Sequence, residues 1–224
     1  MRFLDVYRTS IAEMLDLYFK GSKGFRPFVI VIGANNGRIK DFITPYLDKG
    51  MAQGVLVEPV KHLFHELKGT FPNVPNLYFE NSAIGRRKGR RRLYRLNETS
   101  ASSSWVDGLG SFNRNNIVLH HPETVDPQRY IVKETVHCLT FSALLDKYDV
   151  KALHILQIDT EGTDYEILIS IDFQRIRPDI IIFEFLHLTH YQYFSAINFL
   201  EMNNYEVNRD NYSMDMIAID KGIL

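Results

Sequence analysis

Gly33, Asn35 and Gly37 lie in a short turn, Gly33-Ala34-Asn35-Asn36-Gly37, that follows five consecutive apolar residues, Phe28-Val29-Ile30-Val31-Ile32. Glycine lets a backbone approach a ligand closely, and the helix expected after the turn offers free N–H groups at its start. Glu58 comes 21 residues after Gly37, at the end of a second apolar run, Gly54-Val55-Leu56-Val57. In a parallel α/β sheet that spacing sets a carboxylate beside the first turn, where it can accept hydrogen bonds from both ribose hydroxyls. The chemistry suggested is nucleoside binding. The turn lacks the third glycine of a dinucleotide fingerprint and the Gly-Lys-Ser/Thr ending of a P-loop. These residues alone do not separate NAD from S-adenosylmethionine. A second acidic pair, Asp159 and Glu161, follows directly on the run Leu153–Ile158, and Gly162 permits an abrupt turn into the next element.

The elements that must position these groups follow from apolar spacing. Phe28–Ile32, four of whose five residues are β-branched, predicts a strand buried on both faces. Ile39, Phe42, Ile43, Tyr46 and Leu47 predict a helix after the turn, kinked or shortened by Pro45. Gly54–Val57 predicts the second strand, Val60 to Phe71 a helix, and Asn76–Ile84 a third strand. Regular βαβ alternation requires right-handed crossovers and a parallel sheet. Upstream, Ile11, Met14, Leu15 and Tyr18 mark a helical face within 3–19, in an N-terminal segment taken as 1–26.

The rhythm breaks between about 86 and 133, which is expected to be an insertion in a single domain spanning 1–224. It holds the basic run Arg86–Arg92, the serine-rich piece Thr99–Trp105 and an Asn- and His-rich stretch, with strands expected near 92–96 and 130–138. The basic run suits a charged strand edge that resists edge-to-edge pairing. His120, His121 and His190 have no metal-ligand spacing with a nearby acid. Alternation resumes with a helix over 140–148 and the strand ending at Asp159. A helix follows Gly162, and the strand Asp179–Phe183 ends at Glu184. A helix over 193–203 and two closing strands, 205–209 and 214–220, finish the chain. The last strand is expected to run antiparallel to the rest.

At 45% hydrophobic and 24% charged residues the composition is that of a folded globular protein, and a net charge of -1 gives no global attraction to nucleic acid or anionic membrane. Cys138 is the only cysteine, so no internal disulfide forms, and its apolar surroundings suggest a buried structural thiol. With no apolar stretch long enough to span a bilayer and no signal-peptide core, a cytoplasmic location without membrane contact is expected.

The segment Gln157-Ile158-Asp159-Thr160-Glu161-Gly162-Thr163-Asp164 resembles the signature of the FkbM-type methyltransferase family, an Ile-Asp-x-Glu-Gly core followed by an acid and an apolar helix. The turn Ile32–Gly37, Glu58-Pro59, Asn81–Gly85, the serines near Ser102 and Phe183-Glu184 match the same family in order, over roughly 28–190. Val31 and Gln157 stand where the family usually has an acid and a lysine. The resemblance implies a class I methyltransferase fold: a Rossmann-like, mostly parallel seven-stranded sheet with helices on both faces and an antiparallel terminal strand. It implies S-adenosylmethionine as cofactor. Gly33, Asn35 and Gly37 would pass the methionine part, with Asn36 or Asp159 replacing the missing acid. Glu58, followed by Pro59, would hold the ribose, Ser82 and Ala83 would edge the adenine, and Asp159 would lie near the sulfonium.

Methyl transfer from a sulfonium needs alignment and exclusion of water, and a hydroxyl acceptor also needs its proton removed. Asp159, Glu161, Glu184 and His187 are the candidates for that step, because the fourth and fifth strand tips converge on one cleft. Carboxylates with one imidazole can bind Mg²⁺ or Mn²⁺, but no metal is predicted, since ligand geometry is not readable from sequence. The expected function is O-methylation of a hydroxyl on a saccharide or small natural product, with no nucleic-acid partner. The alternatives are methylation of a nucleotide-linked sugar gripped by the basic run, N-methylation, or a non-catalytic S-adenosylmethionine-binding module. A dehydrogenase ranks last, because no Tyr-x-x-x-Lys pair accompanies the glycines.

Overall fold

In the computed structural model Ile30 pairs with Val55 on one side and Leu156 on the other, so the first apolar run is the centre of a parallel sheet. The structure describes residues 10–22, 24–38, 42–96, 110–119 and 131–224. Residues 1–9, Ile39, the serines near Ser102, Trp105, His120 and His121 lie outside these.

In chain order the first elements are α1 (Ile11–Gly21), β1 (Phe28–Ile32), α2 (Thr44–Asp48), β2 (Gln53–Val57), α3 (Lys61–Thr70) and β3 (Leu77–Glu80). Next come β4 (Ala83–Ile84), β5 (Gly89–Leu96), β6 (Gly110–Ser111), α4 (Arg114–Leu119) and β7 (Ile131–Leu139). The last are α5 (Phe141–Lys147), β8 (Ile155–Ile158), α6 (Asp164–Leu168), β9 (Ile180–Glu184), α7 (His190–Met202), β10 (Tyr205–Arg209) and β11 (Asp215–Asp220).

Among the described residues the main sheet has seven strands in the order β10-β11-β9-β8-β1-β2-β3. All run parallel except β11, which lies between β10 and β9 and is antiparallel to both. The inner strands β1, β2, β8, β9 and β11 are buried on both sides, as their apolar runs require, while the edge strands β3 and β10 are partly exposed. Ile30, Ile32, Val55 and Val57 face α5, α6 and α7, with Phe141, Leu144, Leu168 and Leu200 filling that layer. Val29, Val31 and Leu56 face α1, α2 and α3. Val31 is therefore a core residue on the layer opposite Ile32, and Gln157 shares its face by alternation with Ile158.

Two helix starts carry capping boxes, Ser10 with Glu13 for α1 and Thr189 with Gln192 for α7. The Thr189 cap starts α7 three residues before the expected Tyr193. The helix expected from Ile39 is shorter than its apolar spacing suggests: α2 begins at Thr44, with Pro45 in its first turn, where proline's missing N–H costs nothing. The N–H groups of Gly33 to Arg38 are taken up by Val57, by Glu58 and within the turn itself, so the turn does not present the free donors expected of a helix start.

The expected third strand, 76–84, is two strands. β3 stays in the main sheet, while β4 leaves it and pairs with β7, in a second sheet of order β4-β7-β5-β6. Leu93 and Val136 of this sheet pack with Val60 and Leu63, at and near the start of α3. Of the expected insertion, the described strands β5 and β6 belong to this second sheet, which reaches the C-terminal tips of the main strands through Leu93 and Gly110. Cys138 is buried within it.

Candidate active site

The first turn is held by β2. Gly33 and Ala34 both donate their N–H to the Val57 carbonyl at 3.0 Å. Gly33 has φ +86°, and a Cβ there would lie 1.6 Å from the Asp159 carbonyl oxygen, so the tips of β1 and β8 meet only because this residue is glycine. Asn35 also takes a positive φ, 50°, which asparagine tolerates. Its N–H donates to Glu58 Oε2 at 2.9 Å, and the Val60 N–H donates to Glu58 Oε1 at 2.8 Å.

Glu58 is thereby fixed across the gap between the first turn and α3, with only 4% of its surface exposed. Burial pushes its carboxyl up to about 7; the two N–H donors pull the other way, and Glu134 adds a smaller upward push. Asn81 secures the next step of backbone, donating to the Glu58 and Pro59 carbonyls at 2.8 and 3.1 Å.

A cleft opens over these strand tips, with about 970 Å³ of empty space, part of it open to solvent. One end is lined by Gly33, Asn35, Glu58, Pro59, Ser82 and Ala83. Asn36 and Gly37 do not line it. Asn36 Nδ2 donates to Glu66 of α3 at 3.2 Å, and a Cβ on Gly37 would meet Phe71 and Leu67 at 2.6 and 2.9 Å. The second glycine serves packing against α3, and Asn36 faces away from the cleft. Ser82 Oγ is fully buried at the cleft wall and has no hydrogen-bond partner among the described residues.

The other end is acidic. Asp159, Thr160, Glu161, Thr163 and Glu184 line it, with Leu186 beside them. His187 Nε2 lies 2.8 Å from Glu161 Oε2 and 3.9 Å from Glu184 Oε2, so β8, β9 and the loop after β9 converge as expected. Burial drives the Glu184 carboxyl up to about 11, reinforced by the neighbouring charges of Asp159, Glu161, Asp164 and Asp215.

Two supports here were not anticipated. Asp164 is buried and accepts from the Thr160 N–H, the Gly162 N–H and the Thr160 hydroxyl, each at 3.0 Å, shaping the loop that carries Glu161. Burial raises its carboxyl to about 6, against those three hydrogen bonds. From the second sheet, Ser111 Oγ and α4's Asn116 Nδ2 donate to the Glu161 carbonyl at 2.6 and 2.9 Å. Glu161 is held at φ +55°. Leu93, Gly110 and Phe112 complete the roof. An acid in the first turn of a short helix was a readable signal for Asp164; nothing local marks Ser111 or Asn116.

The basic run does not reach the cleft as a unit. Alternation puts Arg90 and Arg92 on the exposed face opposite Leu93, and Arg91 stacks its guanidinium over Phe112 at 3.8 Å. No helix among the described residues is long and apolar enough to cross a membrane.

A family model, the methyltransferase FkbM domain, matches residues 32–210. The chain belongs to the FkbM methyltransferase family. Its cofactor is S-adenosylmethionine. No match was found among curated protein sequences. Among solved structures, the FkbM methyltransferase of Methylobacillus flagellatus KT superposes with a TM-score of 0.51 at 9% identity, over 89% of this chain and 45% of that one. The chain thus spans under half the length of that FkbM protein, and the likeness concerns the fold. Lower similarity, at a TM-score of 0.44 and 7% identity, is found to the ribosomal protein L11 methylase of Lactobacillus delbrueckii subsp. bulgaricus, over 92% of this chain and 75% of that one.

Proposed function

We propose that this FkbM domain is an O-methyltransferase acting on a hydroxyl of a saccharide or small natural product. The observation that carries the reading is the joining of two ends in one cleft: a nucleoside-type end at Gly33 and Glu58, and an acid–imidazole end at Asp159, Glu161, Glu184 and His187.

The residues at the first end fit the cofactor. Glu58 retains lone pairs on both oxygens for ribose hydroxyls, and the buried, unpartnered Ser82 hydroxyl suits a polar edge of the adenine, next to Ala83. Gly33 lets the tips of β1 and β8 meet beside the place of the methionine part. When bound, the cofactor supplies a methyl on a positively charged sulfur, and that methyl passes to the acceptor oxygen as its bond to sulfur breaks. Asp159 orients the acceptor, and the Glu161–His187 pair takes up the hydroxyl proton. Leu186 and the roof residues Leu93 and Phe112 limit water around the reacting atoms.

The same proposal treats 1–224 as one domain whose insertion, about 86–133, closes the cleft, with a small molecule rather than nucleic acid as partner. The test has two stages. Binding of S-adenosylhomocysteine and of NAD is compared by calorimetry, and methyl transfer from labelled S-adenosylmethionine is then scored against a panel of sugars and hydroxylated natural products. Tight S-adenosylhomocysteine binding with transfer to oxygen is expected. Preference for NAD, or transfer only to nitrogen, refutes the reading.

A further inference from the structure

We infer that Glu161, Glu184 and His187 form a binding site for one divalent cation, of the class that accepts both carboxylate and imidazole ligands, such as Mn²⁺. One ligand atom from each residue lies within 4.8 Å of the others. His187 Nε2 is 2.8 Å from Glu161 Oε2 and 3.9 Å from Glu184 Oε2. Ligand atoms at right angles around one such ion are separated by roughly 3 Å, given bonds of about 2.1 Å. Small rotations of two carboxylates bring the three atoms to that spacing on one side of an ion. The opposite side then faces the cleft, because Glu161 and Glu184 both line it.

A second observation points to a ligand. Glu184 Oε2 is fully buried and has no hydrogen-bond partner among the described residues. A buried carboxylate oxygen in that state lacks what water gave it, and native proteins satisfy such atoms with a donor or a cation. Among the described residues the cleft lining includes Glu58, Asp159, Glu161 and Glu184 but no lysine or arginine. Asp164, the other buried acid close by, is already saturated by Thr160 and Gly162.

Two carboxylates with one imidazole mix hard and borderline ligands, which suits Mn²⁺ or Zn²⁺ better than Mg²⁺, and three protein ligands leave positions open for water or an acceptor oxygen. The catalytic consequence rests on the proposed methyl transfer to oxygen: the ion would lower the acceptor hydroxyl's pKa, and with Glu161 and His187 engaged as its ligands the proton would pass to Asp159 rather than to that pair. Binding of the ion does not rest on it.

The test uses the whole chain. Mn²⁺ alone is titrated and followed by electron paramagnetic resonance, where one bound equivalent is expected. Glu184→Gln and His187→Gln should each weaken binding at least about tenfold, with circular dichroism confirming that they fold. In ¹⁵N-labelled wild-type protein, substoichiometric Mn²⁺ should broaden the amide signals of Gly162 and Leu186 while Gly50 stays sharp. This arm stands even if a variant does not fold. No stoichiometric Mn²⁺ in the wild-type chain, binding unchanged in both folded variants, or broadening elsewhere overturns the inference. Failure of S-adenosylhomocysteine to bind refutes the proposed function instead, whatever the Mn²⁺ result.

Discussion

Glu58→Gln separates the energetic cost of the buried carboxylate from its use. In the folded chain this carboxyl titrates near 7, against an ordinary value of 4.5, because burial disfavours its charge. Between those two values the folded state holds a proton that the unfolded state has released. Stability from this group is therefore fully present below pH 4.5 and is lost as pH rises through 7. The gap corresponds to about 3 kcal/mol, at roughly 1.4 kcal/mol per pH unit. Glutamine does not titrate, so the variant lacks this slope. It also loses one of two accepted backbone bonds, since its NH₂ cannot accept from Asn35 or Val60, and a buried donor left without a partner costs about 1–3 kcal/mol.

Denaturant unfolding at pH 5 and pH 8 reads both effects. The variant should be clearly less stable than wild type at pH 5, with the difference shrinking or reversing at pH 8. The same substitution should weaken S-adenosylhomocysteine binding about ten- to a hundredfold at pH 8, because a charged acceptor for the ribose hydroxyls is gone. Wild-type affinity should also rise between pH 5.5 and 8, as hydroxyl donors favour the ionised carboxylate. Parallel stability profiles for the two proteins would show that burial does not perturb this carboxyl. Unchanged affinity in a folded variant would show that Glu58 is not the ribose acceptor.

Asp159→Asn should lower turnover by at least about a hundredfold while S-adenosylhomocysteine affinity changes little; full activity with an identified acceptor would refute its orienting role. Gly33→Ala should destabilise by more than about 3 kcal/mol in denaturant titration, because its Cβ collides with the Asp159 carbonyl at a positive φ, whereas Gly50→Ala meets open space and should cost about 1 kcal/mol. Asn116→Ala, which removes one of two donors to the Glu161 carbonyl, should reduce kcat without changing S-adenosylhomocysteine affinity, and Asn116→Gln should not restore it if placement matters; equal loss of affinity would mean that the roof supports the whole cleft. Arg90→Ser with Arg92→Ser should leave cofactor affinity unchanged at any salt concentration, since both side chains occupy the face opposite Leu93.

Buried parallel strands announce themselves because both faces must be apolar, and β1, β2, β8 and β9 were legible for that reason. Their order made the convergence of Asp159, Glu161, Glu184 and His187 legible too, since parallel strands bring their C-terminal tips to one edge. β4 was not legible as a separate strand. Its two residues follow β3 after only Asn81 and Ser82, and its pairing with Cys138 and Leu139 joins positions more than fifty residues apart. The fate of such a run is decided by a partner that no local pattern displays.

The two glycines of the first turn show a subtler limit. Both have positive φ, and both sit where a side chain would collide, so the sequence signal is the same at each. The collisions differ in kind. At Gly33 the obstacle is the Asp159 backbone, which itself borders the cleft, so the residue brings two strand tips together around a ligand-sized space. At Gly37 the obstacles are Phe71 and Leu67, so the glycine seats the turn on α3. A glycine letter reports that space is short; only the neighbour reveals whether the space belongs to a ligand or to the core. Asn36 follows from this: once Gly37 turns onto α3, the residue before it is carried toward Glu66 rather than into the cleft. The part of the turn competent to meet a cofactor is therefore its first half, Gly33 to Asn35, tied by one N–H to the same carboxylate that closes the nucleoside end.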